Sequence, residues 1–257
     1  MRELDSARVI TLVDNDVWQS GLKSSWGLSL YVETRVGNKR HVLLMDTSGS
    51  FETLSKNASN LNIRLANIEA IFISHWHRDH CGSLSHVLPL LTRFTPVYVP
   101  SDYSSGIREI ESAGGTARVC SEPVEFMDGV MSTGVVGGVS EHAIAMKLSN
   151  KGLVILAGCS HPGIIRIIRR AQRVSSSSRV HAVAGGFHIS DVHEGTSVGK
   201  FLLKTGVELV SPCHCTSSDA RAGIAHVMGK RYVRNGSGRT FSFGQSVNSL
   251  SQFRRNL

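Results

Sequence analysis

Aromatic residues are scarce in this sequence, at 6%, and prolines number only 6. The few aromatics do not interleave with basic residues, which argues against a stacking platform for single-stranded nucleic acid. No window approaches the run of about 18 apolar residues that a membrane span needs. The opening residues, MRELDSARVITLVDN, hold no long apolar stretch, so no secretory leader is expected. Cysteine is sparse and odd in number, at positions 81, 120, 159, 213 and 215. That count argues against a disulfide framework and predicts a reduced, cytoplasmic setting. Charged residues are 19% and hydrophobic residues 41%, ordinary for a globular chain with a full core.

The net charge of +8 and the sequence pI near 9.5 admit an anionic partner: a phosphorylated metabolite, a nucleic acid or a membrane surface. A solvated basic face is the plainer alternative. The basic residues are scattered, with local groups at Arg166, Arg169, Arg170 and Arg173 and at Arg254 and Arg255. There is no long basic arm, which favours a small molecule over nucleic acid. The chain shows no internal repeat or linker, so a single domain over residues 1–257 is expected.

Strand-like runs rich in aliphatic and β-branched residues fall at 9–13, 28–32, 42–45, 68–73, 96–99, 143–148, 153–157, 180–184 and 207–210. A last pair is expected at 232–233 with 240–243. Helical patterns cover 84–91, 106–113, 164–174, 198–204 and 218–228. In the third of these, isoleucines fall on one face and arginines on the other. Early strands follow one another as meanders and later ones alternate with helices. The mixture predicts an α/β (α+β) architecture of two facing sheets with helices outside.

The densest chemistry lies in Ser74-His75-Trp76-His77-Arg78-Asp79-His80, directly after the apolar run Ile71-Phe72-Ile73. Residues two apart in extended chain point the same way, so His75 and His77 can address one metal ion. Asp79 and His80 fall where the chain turns into a helix and can face a second. Imidazole with carboxylate suits zinc, and also iron or manganese. A solvated polar turn is the alternative. Three later segments repeat one grammar, an apolar strand and then a tight turn carrying histidine: Gly158-Cys159-Ser160-His161, Gly185-Gly186-Phe187-His188 and Pro212-Cys213-His214-Cys215. His161 and His214 are read as further ligands, and His188 as a ligand, a substrate contact or an acid/base. The helix expected after Pro162-Gly163 would set a positive dipole end beside His161. Cys159 stays open between ligand, redox site and core residue, and Cys213 and Cys215 read as packed thiols beside the site. His41, His86, His142, His181 and His193 read as structural.

The motif His75-x-His77-x-Asp79-His80 resembles the signature of the metallo-β-lactamase superfamily. Further landmarks occur in order: Leu12-Val13-Asp14-Asn15, Gly27-Leu28-Ser29-Leu30, Leu44-Met45-Asp46-Thr47 and the three histidine turns. Together they resemble the 7,8-dihydropterin-6-methyl-4-(β-D-ribofuranosyl)-aminobenzene-5′-phosphate synthase branch. The resemblance implies a four-layer αββα sandwich with its metal site at one sheet edge. It implies two divalent ions, zinc first with manganese, iron or magnesium as alternatives. His75, His77 and His161 would hold one, and Asp79, His80 and His214 the other. It implies an enzyme acting on a small phosphorylated metabolite, a transferase of the synthase type that joins a dihydropterin diphosphate to a ribofuranosylaminobenzene phosphate with loss of pyrophosphate, or a related hydrolase. From the residues themselves, Asp79, able to orient a metal-bound water or take its proton, and His188 are read as the catalytic groups. A nuclease or phosphoesterase of the same fold and a non-catalytic metal sensor are the alternative readings. Two departures from the pattern stand out. Cys159 occupies the place where the superfamily usually carries a metal-bridging Asp, and Trp26 the place before Gly27 where the branch tends to have His.

Overall fold

The computed structural model describes residues 1–244; the Arg254 and Arg255 pair lies outside the described residues. Two sheets face each other. The first opens as an antiparallel meander of β1 (Ser6–Val13), β2 (Ser29–Val36) and β3 (Lys39–Met45). It continues in parallel through β4 (Ala70–Phe72), β5 (Pro96–Val99) and β6 (Thr116–Val119). The second runs antiparallel through β7 (Val124–Met127), β8 (Val130–Ser132), β9 (Ile144–Leu148) and β10 (Gly152–Ala157). It then turns parallel at β11 (Val180–Gly186) and β12 (Leu209–Cys213). Finally β13 (Thr240–Gly244) returns to the first sheet and pairs antiparallel with β1. The expected passage from meander to alternation therefore happens twice, once in each sheet.

The two-residue period of each strand builds the layers. Leu43 and Met45 of β3, Ala70 and Phe72 of β4, and Val154 and Leu156 of β10 meet in the core between the sheets. The alternate residues Val42, Leu44 and Ile71 face an outer cluster that includes Leu54, Leu84 and Ile110. Leu153, Ile155 and Ala157 do the same on the far side, against Ile164, Ile167, Ile168, Leu202 and Ile224. Both faces of the central strands are thus buried, which is why they read as continuous apolar runs.

The outer residues belong to helices. On the first sheet these are α1 (Phe51–Asn60), the short α2 (Arg78–Cys81) and α3 (Leu84–Val87), and α4 (Ser104–Ser112). On the second they are α5 (Ile164–Ser175), α6 (Val192–Lys204) and α7 (Ser218–Met228). In α5 the buried set Ile164, Ile167, Ile168 and Ala171 recurs at helical spacing. Asp191 and Ser217 cap α6 and α7 by accepting from backbone N–H groups of their first turns. The αββα sandwich expected from the sequence is the observed architecture. No helix of the described residues is long and apolar enough to cross a membrane.

Several elements differ from the sequence reading. Helix α1 was not expected, because Phe51–Asn60 is rich in Ser and Asn, which compete for backbone hydrogen bonds. Its start is instead fixed by Ser50, whose side chain accepts from Thr53 N. Strands β6, β7 and β8 are short, and β6 and β7 stand partly exposed at sheet edges without a run of apolar residues to mark them. Helix α6 begins six residues before the expected 198, at the Asp191 cap. The expected strand at 232–233 is reduced to an isolated bridge between Tyr232 and Val210.

One buried imidazole ties the sheets together beside the motif. His142 Nε2 donates to Ile73 O (2.8 Å), just past β4, and Ser132 Oγ of β8 lies 2.8 Å from its Nδ1. Its ring stacks on Phe72 with centroids 4.0 Å apart. Burial pushes its pKa down from 6.5 to about 4, because a charged ring has no water there. The unfolded chain binds this proton more readily, so the stabilisation is complete above the unfolded value and is lost as pH falls towards the folded one. The expected acid-side loss from this group is about 3 kcal/mol. Urea unfolding of metal-free protein at pH 7 and pH 4 checks it: His142→Gln should show a smaller difference between the two pH values. An undiminished difference assigns the loss elsewhere.

Candidate metal centre

The carboxyl ends of β3 and β4 lie side by side in parallel register, as do those of β10, β11 and β12. Each of these ends turns sharply into a polar loop. Asp46, Ser160, His188 and His214 all take positive φ, between 51° and 65°. Such backbone costs about 1–3 kcal/mol per residue and clusters where a side chain must be aimed.

Asp46 organises the motif loop. Its Oδ1 accepts from Ser74 N and its Oδ2 from Ser74 Oγ, both at 2.7 Å. The same Oδ2 lies 2.6 Å from His80 Nδ1. Ser74 Oγ is also 3.0 Å from His75 Nδ1. Across the cleft Glu141, fully buried, gathers the turn after β10. It accepts from the backbone N–H of Cys159 (2.9 Å), Ser160 (2.6 Å) and His161 (2.8 Å), and lies 2.9 Å from His161 Nδ1. His214 is held by Asp14, which accepts from its N–H (2.8 Å), and by Asn15, whose Oδ1 is 3.3 Å from His214 Nδ1. Asn15 Oδ1 also accepts from Gly27 N (3.1 Å), bringing the Trp26 loop alongside. A side chain at Gly27 would meet Asp79 O at 2.5 Å, and one at Gly158 would meet Ser74 Oγ at 2.1 Å. Only glycine allows these two loops to close on the motif.

With Nδ1 of His75, His80, His161 and His214 facing Ser74, Asp46, Glu141 and Asn15, their Nε2 atoms are left for the centre. His75 Nε2 and His77 Nδ1 face each other at 3.0 Å, and His80 Nε2 and His214 Nε2 at 3.1 Å. Two nitrogens on one tetrahedral zinc sit roughly 3.3 Å apart, given zinc–nitrogen bonds of about 2.0–2.1 Å. Asp79 Oδ2 lies 3.3 Å from His214 Nε2 and 3.7 Å from His80 Nε2. His75, His77 and His161 form one group whose candidate ligand atoms lie within 4.8 Å of one another, and Asp79, His80 and His214 form a second. The structure therefore brings all six expected ligand residues to one place, in the two sets of three. Imidazoles braced through the far nitrogen by carboxylate, hydroxyl or amide are the donor set a metal ion requires.

No protein-family model matches the chain. It is 25% identical to the 7,8-dihydropterin-6-methyl-4-(beta-D-ribofuranosyl)-aminobenzene-5′-phosphate synthase of Methanocaldococcus jannaschii, across 94% of this chain and 98% of that protein. Among solved structures it superimposes on Tm1679, a metal-dependent hydrolase of the β-lactamase superfamily, with a TM-score of 0.72 and 22% identity. That likeness covers 93% of this chain and all of the other. A diphosphatase of the PhnP family matches with a TM-score of 0.62 and 15% identity, over 93% of this chain and 98% of that one. The fold is that of the metallo-β-lactamases. The resemblance to the synthase branch read from the motifs thus extends to nearly the full length of both chains, and this metallo-β-lactamase sandwich carries a candidate metal site at the expected sheet edge.

The electrostatics of the centre follow from burial and pairing. Burial, reinforced by the charge of His80, drives His75 down to about 2; burial, reinforced by His214, drives His80 down to about 3. Both rings are neutral at pH 7, as ligation requires. Burial raises the Asp79 and Glu141 carboxyls, but their partners outweigh it. Asp79 is lowered by the His214 hydrogen bond and the charges of His80 and His214. Glu141 falls to about 2 through its bond to His161, the charge of His75 and the backbone N–H donors. The same bond to Glu141 raises His161.

The remaining residues fall as follows. His188 is exposed, its ring 4.4 Å from that of His161, beside a cleft of about 270 Å³ that Arg166 and Glu194 also line. His161 precedes the start of α5, as expected. Trp26 is 66% exposed, with its ring 5.3 Å from that of His214. His41 and His181 pair with Glu69 and Glu208 away from the centre. Cys213 packs in the core between the sheets, whereas Cys159 and Cys215 both adjoin His214. The sequence reading gave no site role to Asp46, Ser74 or Glu141. Asp46 stands in a quoted landmark, directly after β3, and its position at a strand end was the available signal. Glu141 had none: it lies 18 residues before the nearest group it holds.

Glu141→Gln replaces an acceptor for four donors with a group half donor, and should destabilise the metal-free protein by about 1–3 kcal/mol. Denaturant midpoints of the two proteins check this, and equal midpoints count against the network.

Proposed function

We propose that this chain is a metal-dependent enzyme acting on a small phosphorylated metabolite, in a reaction of the synthase type that its Methanocaldococcus relative is named for. The observation that carries the reading is the convergence of six metal-competent side chains from distant strand ends, four of them imidazoles braced from behind. His75, His77 and His161 would hold one divalent ion, and Asp79, His80 and His214 a second, with zinc the first candidate for this nitrogen-rich set. The similarity to the synthase across almost the whole of both chains supports the choice of reaction class. The five free cysteines accord with a cytoplasmic enzyme.

The chemistry a bound divalent ion supplies is Lewis-acid polarisation of a phosphoryl or acyl oxygen and a lowered pKa for bound water, to about 7. The protein's own groups do the rest. The Asp79 carboxylate, kept ionised chiefly by its hydrogen bond to His214, stands ready to orient a nucleophile and take its proton. In the condensation that the synthase resemblance implies, of a dihydropterin diphosphate with a ribofuranosylaminobenzene phosphate, the arylamine nitrogen bonds to the pterin methylene carbon as the carbon–oxygen bond to diphosphate breaks. Asp79 accepts the amine proton and pyrophosphate leaves. His188 at the rim can return a proton to the departing oxygen. Arg78 and Arg166, both exposed beside the centre, offer positive charge to the phosphates.

In His77→Ala the expected outcome is lower metal content and loss of turnover with the fold retained, since His77 is exposed at the rim. Metal analysis, circular dichroism and assays of the pterin condensation beside a panel of phosphate and carboxylic esters test it. Full activity in the variant would overturn the assignment. Ester hydrolysis without condensation would move the protein to the hydrolases of the same fold.

A further inference from the structure

Cys159 stands where the two halves of the centre meet. Its thiol is buried, the residue being 3% exposed, and Sγ lies 3.2 Å from His80 Nε2, the nitrogen turned inward by Asp46. The sulfur forms one candidate ligand group with His75 and His80, another with His161 and His188, and a third with His214 and Cys215, the ligand atoms of each group lying within 4.8 Å of one another. Among the described residues no other side chain joins three such groups, and these three draw on both halves of the site.

A core thiol in this protein sits differently: Cys213, fully buried, packs among the aliphatic side chains between the sheets. Cys215 turns its Sγ to the Cys159 carbonyl (3.4 Å). The turn that carries Cys159 is pinned on both sides. Glu141 Oε1 accepts from the N–H of Cys159 and Ser160, Ser160 Oγ donates to Gly186 O (2.6 Å), and Ser160 itself is held at φ 65°. The chain fixes this sulfur among imidazoles at the cost of strained backbone, which packing alone does not require.

We infer that Cys159 is a metal ligand shared by the two subsites, bound as thiolate with its proton passing to solvent. The inference rests on the metal centre proposed above and narrows it. A soft thiolate beside imidazoles selects zinc, iron or cobalt over magnesium or calcium, which take oxygen ligands.

Co(II) added to the metal-stripped full-length protein reports the ligand directly, because a thiolate on cobalt gives a near-ultraviolet charge-transfer band that nitrogen and oxygen ligands do not. The expected result is this band in the unaltered protein and in Cys215→Ser, and its loss in Cys159→Ser and Cys159→Asp. The Asp variant should keep the visible cobalt absorption, since a carboxylate in that place still ligates. A band that survives in Cys159→Ser, or unaltered protein that binds Co(II) without the band, overturns the inference and leaves the histidine centre standing. Protein that takes up no Co(II) overturns both. Circular dichroism separates loss of the ligand from loss of the fold, and if the Cys159 variants do not fold, the spectrum of Cys215→Ser still decides, since a band there cannot come from Cys215.

Discussion

The centre depends on two buried carboxylates, Asp46 and Glu141, that face each other from opposite sheets and hold imidazoles by their far nitrogens. Several histidines brought together without such acceptors would leave their N–H groups unsatisfied and their ring orientations undetermined. Asp46 fixes His80 and the Ser74 corner, and through Ser74 it reaches His75. Glu141 fixes His161 and the backbone beneath Cys159. A buried carboxylate is costly unless its oxygens are filled with donors. Here the donors are the loops of the site itself: they outweigh burial at Glu141 and hold its carboxyl at about 2, whereas at Asp46 burial outweighs the Ser74 donors and raises the carboxyl well above the usual range.

That arrangement explains why the strain is where it is. Asp46, Ser160, His188 and His214 each leave a strand with left-handed backbone. A strand that simply continued would carry its next side chain past the sheet edge, and the left-handed turn folds it back over the end. Glycines at 27 and 158 remove the side chains that would otherwise keep the loops from closing over Asp79 and Ser74. The αββα sandwich contributes rigidity: strands buried on both faces do not shift when the loops at their ends are pulled together. At the rim Trp26, His77, His188 and Arg166 are accessible to solvent.

The pairing of sheets also accounts for how the site is divided. His75, His77, Asp79 and His80 come from the first sheet, after β4; His161, His188 and His214 come from the second, after β10, β11 and β12. Each set of three draws on both sheets. The bond from His142 to Ile73, with the His142 ring braced by Ser132 of its own sheet, holds the two sheets in one relation near the centre. The site therefore reports on the packing of the sandwich as well as on the residues that line it.

The sequence by itself determined a good deal. Continuous aliphatic runs located most of the central strands, since burial on both faces demands them, and the helical spacing of the α5 isoleucines located its buried face. The motif at 75–80 and two of the three strand-then-histidine turns named six residues that the fold brings together, because strand ends are where such side chains can converge. The short edge strands β6 to β8 and helix α1 were hidden, as partial exposure and polar composition remove the periodic signal. Only the tertiary structure decided the second layer of the site. Glu141 and Asp46 each join the loop of one strand to the end of a neighbouring strand in the same sheet, and a hydrogen bond between residues remote in sequence leaves no local pattern. The place of Cys159 between the two histidine sets was decided there too, by which strands lie next to which.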